Sequence, residues 1–128
     1  MRLLLDTHAL LWWWTDDPQL SHRARVCIGD SDNAVLVSAA SAWEIATKHR
    51  LGKLGLADSI VQRYPALLVA DGFVPLAMTA EHALVAGSYR HPHRDPFDRM
   101  LAAQAEVERL TLVSCDPALA QFGVELLW

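Results

Sequence analysis

Short apolar runs alternate with amphipathic stretches from one end of the chain to the other, and this alternation constrains the fold more than any other feature. Leu3–Leu5 and Ala34–Val37 are short, continuous and apolar, as buried strands of a parallel sheet are, and Phe73–Leu76, Leu110–Ser114 and Val124–Leu127 read as further short strands. Helical patterns separate them. One runs from His8 to Thr15, a second is capped by Ser21 and ends at Gly29, and a third is opened by Ser41 and closed by Gly52 and Gly55. A fourth starts at Asp58, with Pro65 expected to kink or break it. Thr79 caps a fifth that ends near Gly87, Asp95 a sixth that reaches Glu108, and Pro117–Gln121 forms a short last one. Strands that alternate with helices predict an α/β domain around a mainly parallel sheet.

The 128 residues suit a single domain, 1–128, with a real core. A hydrophobic share of 52% against 20% charged residues excludes a disordered chain. No apolar stretch approaches the roughly 18–20 residues of a membrane span. Met1–Asp6 turns acidic too soon for a signal peptide, so a cytoplasmic location is expected. Cys27 and Cys115 lack metal-ligand spacing and are expected to be buried free thiols. A net charge of −4 argues against a general nucleic-acid-binding surface, but not against a nucleic-acid substrate, because bound cations invert the sign of an acidic pocket. The bases also cluster: Lys48, His49, Arg50 and Lys53 in one segment, and Arg90, His91, His93, Arg94 and Arg99 in another. Each cluster suits a solvated face or a phosphate-positioning one.

Four acids fall at strand-to-helix junctions. Asp6 ends the first apolar run, Glu44 sits at N3 of the helix opened by Ser41, Asp98 at N3 of the helix capped by Asp95, and Asp116 follows the penultimate strand. In open parallel sheets, sites form at the carboxyl ends of the strands, where strand order reverses, so all four can converge there. Each acid also has a purely structural use. Ser41 and Glu44 make a capping box, Asp95-Pro96 and Asp116-Pro117 are N-caps followed by proline at N1, and Asp6 can simply end a strand. Capping, however, does not require four acids on one sheet edge. Unit charges about 4 Å apart repel by about 4 kcal/mol at an effective dielectric of about 20, and a divalent cation offsets that. Oxygen ligands suit magnesium or manganese.

The ordered set Leu3-Leu4-Leu5-Asp6-Thr7-His8, Trp43-Glu44-Ile45-Ala46, Gly52-Lys53-Leu54, Asp95-Pro96-Phe97-Asp98-Arg99 and Ser114-Cys115-Asp116-Pro117 closely resembles the PIN-domain toxins of the VapC type. That resemblance implies a three-layer α/β/α fold and a Mg2+- or Mn2+-dependent endoribonuclease. It implies the toxin of a type II toxin–antitoxin pair, a homodimer held in check by a cognate antitoxin. Asp6, Glu44 and Asp98 would be the core metal ligands and Asp116 the fourth; Thr7 and Ser38 would be polar supports, and Asp95 a cap or outer support. Hydrolysis would proceed by metal-activated water and leave a 5′-phosphate and a 3′-hydroxyl. Arg99 suits a phosphate contact or a surface ion pair.

Two other classes share parts of the pattern. A phospho-receiver domain also has an acidic, magnesium-binding pocket on a parallel sheet, but it needs paired acids after the first strand, where this chain has Asp6-Thr7-His8. A PIN-like module that binds RNA without cutting it has no need of Asp6, Glu44 and Asp98 together. His91-x-His93-x-Asp95 lacks the further ligand cluster of a zinc site. Trp12, Trp13 and Trp14 point about 100° apart on a helix, so one of them is expected at the surface or in a partner contact.

Overall fold

The computed structural model describes residues 1–55 and 58–128. Five strands, β1 (Arg2–Leu5), β2 (Ala34–Ser38), β3 (Val74–Leu76), β4 (Thr111–Val113) and β5 (Leu126–Leu127), pair in parallel in the order β3-β2-β1-β4-β5. The helices are α1 (Thr7–Trp14), α2 (His22–Gly29), α3 (Ala39–Arg50), α4 (Ile60–Asp71), α5 (Ala80–Ser88) and α6 (Pro96–Glu108), with a 3₁₀ turn at Pro117–Phe122. The chain winds outward from β1 through β2 to β3, then returns past β1 to build β4 and β5. Strand order therefore reverses between β1 and β4.

Alternation along β1 makes the three layers. Leu3 and Leu5 point to one face and pack with Leu10, Ile28, Ile45 and Leu68 of α1, α2, α3 and α4. Leu4 points to the other, against Leu101, Ala102 and Leu119 of α6 and the 3₁₀ turn. Both faces are covered at β1, β2 and β4, so these central strands read as nearly unbroken apolar runs. The register Leu5↔Val37 and Leu5↔Val113 brings the carboxyl ends of β1, β2 and β4 level, and the chain leaves from there into Asp6, α3 and the loop to Asp116.

Four expectations need correction. Ser38, not Ser41, caps α3, its Oγ accepting from the Ala40 N–H at 2.9 Å, so Glu44 is the sixth helical residue and makes no capping box. The break expected at Pro65 does not occur: α4 continues through it, and Pro65 itself is exposed. Neither cysteine is buried, although both are free: Cys27 is half-buried and Cys115 exposed. The tryptophan run is absorbed by the fold itself. Trp12 meets Trp128, Trp13 meets Phe73 and Trp14 meets Tyr64, and all three pack on the α1-side core. Among the described residues, no helix is long and apolar enough to cross a membrane.

Candidate active site

Asp6 is the first residue beyond β1. Its backbone N–H still donates across the switch point to the Val113 carbonyl at 3.1 Å, while its Oδ1 accepts from the Ala9 N–H at 2.7 Å and so caps α1. One residue thus ends a strand and starts a helix, which leaves its carboxylate inside the molecule, only 6% exposed. Burial raises the pKa of this carboxyl above its ordinary value of 3.8, and the nearby Asp98 adds to the rise. The Ser114 hydroxyl, the Ala9 N–H and His8 partly offset it.

Asp98 arrives from the opposite layer. Asp95 Oδ1 accepts from the N–H groups of Phe97 and Asp98 at 2.9 and 3.3 Å, with Pro96 at the first helical position. Because Asp95 does the capping, the Asp98 side chain is free to turn inward, where His93 Nε2 meets its Oδ2 at 2.8 Å. Its pKa is also raised, chiefly by burial and further by Asp95 and Glu44, with His93 pulling the other way. Glu44 comes from α3, is buried, and pairs with Lys48 one turn on, at 3.0 Å. A buried hydroxyl pair, Thr7 Oγ1 to Ser41 Oγ at 3.1 Å, ties the starts of α1 and α3 together.

The structure therefore brings Asp6, Glu44 and Asp98 into one electrostatic neighbourhood, from three elements and both helical layers. Asp116 stands apart. It caps the 3₁₀ turn through the Ala118 N–H at 2.9 Å, and its charge is felt, with that of Asp6, at the Cys115 thiol, which burial above all pushes up. Thr7 and Ser38 are buried beside the acids. Arg99 makes neither a phosphate-facing arm nor a surface ion pair: it donates to the carbonyls of Ala86, Tyr89, His91 and His93 and so clamps the segment before α6.

Two buried carboxylates and a half-buried one that repel each other form an oxygen donor set that fits a hard divalent cation in kind. Among the described residues, no three His, Cys, Asp or Glu side chains already stand as a closed cage. Lys48 and His93 instead engage Glu44 and Asp98, and a cation would take over those contacts. Lys48, His93 and Ser114 are the site residues that sequence reading did not assign. The spacing of Lys48 four after Glu44 was a readable signal; the approach of His93 and Ser114 depends on how loops fold back.

The sequence profile of the PIN domain matches residues 3–125. Ribonuclease VapC16 of Mycobacterium tuberculosis is 38% identical over 61 residues, 48% of this chain and 43% of that protein, so the chain spans less than half the length of this relative. Two solved structures share the fold across nearly their whole length. The VapBC2 complex of Rickettsia felis bound to a promoter DNA fragment has a TM-score of 0.74 at 15% identity, covering 99% of this chain and 98% of that one. FitAcB of Neisseria gonorrhoeae has a TM-score of 0.65 at 19% identity, covering 98% and 96%. A profile match from the first strand to the threshold of the last, on an all-parallel sheet with acids at its switch point, means that the chain belongs to the PIN domain family.

Proposed function

We propose that this chain is a metal-dependent endoribonuclease, the toxin of a type II toxin–antitoxin pair, acting as a single domain. The observation that carries the reading is the convergence at the carboxyl edge of the sheet of Asp6 and Glu44, both buried, and the half-buried Asp98, from the end of β1, α3 and α6. Burial of like charges is costly unless something compensates it, and such costs concentrate where chemistry is done. The family, and a relative named as a ribonuclease, support the choice of RNA. Two of the structural neighbours are toxin–antitoxin complexes named VapBC, which supports a cognate antitoxin as partner; a homodimeric toxin belongs to the same reading.

In this reading Asp6, Glu44 and Asp98 hold a magnesium or manganese ion, while Asp116, occupied as the cap of the 3₁₀ turn, adds negative charge from outside that donor set. When bound, the ion polarises the phosphodiester and makes water acidic enough to react near neutral pH. The protein's own groups set the geometry. The α1 cap fixes Asp6, the Asp95 cap frees Asp98, and the Thr7–Ser41 pair holds the helix of Glu44 against that of Asp6. Water adds to phosphorus as the bond to the 3′-oxygen breaks, leaving a 5′-phosphate and a 3′-hydroxyl. Cleavage of end-labelled structured RNAs with magnesium or manganese, with and without chelator, tests the proposal. Loss of cutting in chelator and in Asp6→Asn and Asp98→Asn is expected; cutting that survives both would sink it.

A further inference from the structure

Of the three site acids, Glu44 alone is paired with a lysine. Asp6 takes neutral donors, the Ala9 N–H and the Ser114 hydroxyl, and Asp98 meets the His93 ring. Glu44 Oε2 lies 3.0 Å from Lys48 Nζ. Glutamate four residues before lysine is the favourable order on a helix, and on an open surface such a pair contributes little. This pair is not on an open surface. The Glu44 side chain is 10% exposed and that of Lys48 26%. A carboxylate buried to that degree needs a counter-charge, and loss of its partner leaves it uncompensated. Lys48 nevertheless has room to leave. It lines two open clefts, one of about 560 Å³ between α1 and the loop after α3, the other of about 460 Å³ between α3 and the segment entering α6. The ammonium can therefore swing off Glu44 without unpacking the core.

On the reading of Asp6, Glu44 and Asp98 as ligands of a divalent cation, we propose that Lys48 is the site's own counter-ion, which a divalent cation displaces from Glu44 and a monovalent one does not. The ammonium lets the chain fold around its acids before any metal arrives. It also decides what can replace it. A sodium or potassium ion brings one charge, no more than the ammonium already supplies, and has its own hydration to lose. A magnesium or manganese ion brings two, and draws on Asp6 and Asp98 as well as Glu44. Lys48 thus sets both the concentration at which the site fills and the charge of the ion that fills it.

Electron paramagnetic resonance of free Mn2+ reads occupancy with no RNA present and no turnover. Titrations are run at one ionic strength, about 0.15 M, in sodium chloride and in tetramethylammonium chloride, whose cation carries no N–H and approaches carboxylates poorly. Wild type is expected to bind Mn2+ equally well in both salts. Lys48→Met should bind it about 10-fold more tightly in the tetramethylammonium salt, and sodium should take back about 3-fold of that gain. Lys48→Arg, whose planar fork grips a carboxylate with two donors, should bind Mn2+ about 3-fold more weakly than wild type. Lys53→Met controls for a general field. Lys53 is exposed, lines the same two clefts and makes no ion pair among the described residues, so its effect should stay below about 2-fold. In chelator Lys48→Met should melt earlier than wild type, and saturating Mn2+ should close most of the gap. Unchanged affinity in Lys48→Met, an equal gain in Lys53→Met, or Lys48→Arg binding as tightly as wild type overturns the proposal and leaves the metal reading standing. Sodium sensitivity as large in wild type as in Lys48→Met does the same. Wild-type protein that binds no Mn2+, or whose binding Asp6→Asn does not weaken, overturns both.

Discussion

At the amino edge of the sheet, Asp71 accepts both indole N–H groups of Trp13 and Trp14 on one oxygen, at 3.2 and 2.8 Å. At the carboxyl edge, Asp6 is buried beside another acid with one backbone donor within α1. The first carboxylate is exposed, well supplied with donors, and used to stitch α1 to α4. The second is held where its charge is penalised. The same residue type serves stability at one edge and opposes it at the other, and the opposed one sits where strand order reverses. Local rules are kept where a protein needs only to fold, and broken where it needs to react.

The sharpest way to break this contrast is to neutralise the carboxyl edge. Asp6→Asn and Asp98→Asn should raise the stability of cation-free protein by about 1 kcal/mol in urea titrations, because asparagine still caps α1 and the buried repulsion is gone. Their cleavage should fall more than about 100-fold, beyond the loss typical of an outer partner of a metal ligand. A drop in stability would mean that Asp6 is as satisfied as Asp71. The converse substitution, Asp71→Ala, should cost about 1 kcal/mol, since the indoles stay half-exposed and water replaces the lost acceptor. Cleavage per folded molecule should not change; a change would make the amino edge functional too.

The smallest effect is in pH. The folded-state pKa values of Asp6 and Asp98 lie above the ordinary 3.8, so the folded protein binds these protons more tightly than the unfolded chain does. Their stabilising contribution is complete below that value and disappears as pH rises through the folded pKa values. In chelator, the stability of wild type minus that of Asp98→Asn should therefore fall as pH goes from about 4 to about 7. A difference that stays flat would mean that Asp98 carries its charge without penalty.

The helix start at Asp95 was legible because Pro96 fixes the count: proline belongs at the first helical position, so Asp98 had to lie one turn in. Nothing comparable fixed α3. Ser38 and Ser41 are both competent caps, and the choice depends on where β2 ends, which the Ser38↔Leu76 pairing with a distant strand decides. Glu44 was therefore recognised as a site acid but placed on the wrong turn. The partners of the tryptophans were equally hidden, since Trp128, Phe73 and Tyr64 reach them from three other parts of the chain. Periodicity sees which faces are apolar, but not which distant ring meets which.

Arg99 gives the segment from Ala86 to His93 a fixed length. Its single guanidinium collects carbonyls at four places along that stretch, the last from the residue whose ring meets Asp98. Surface connections ordinarily drift in length between relatives at little cost. Here an added residue would slide the carbonyls off their donors and carry His93 away from the acids, so the loop is gauged from the helix that follows it. The turn before β2, which bears no such tether to the acids, is where this fold has room to grow.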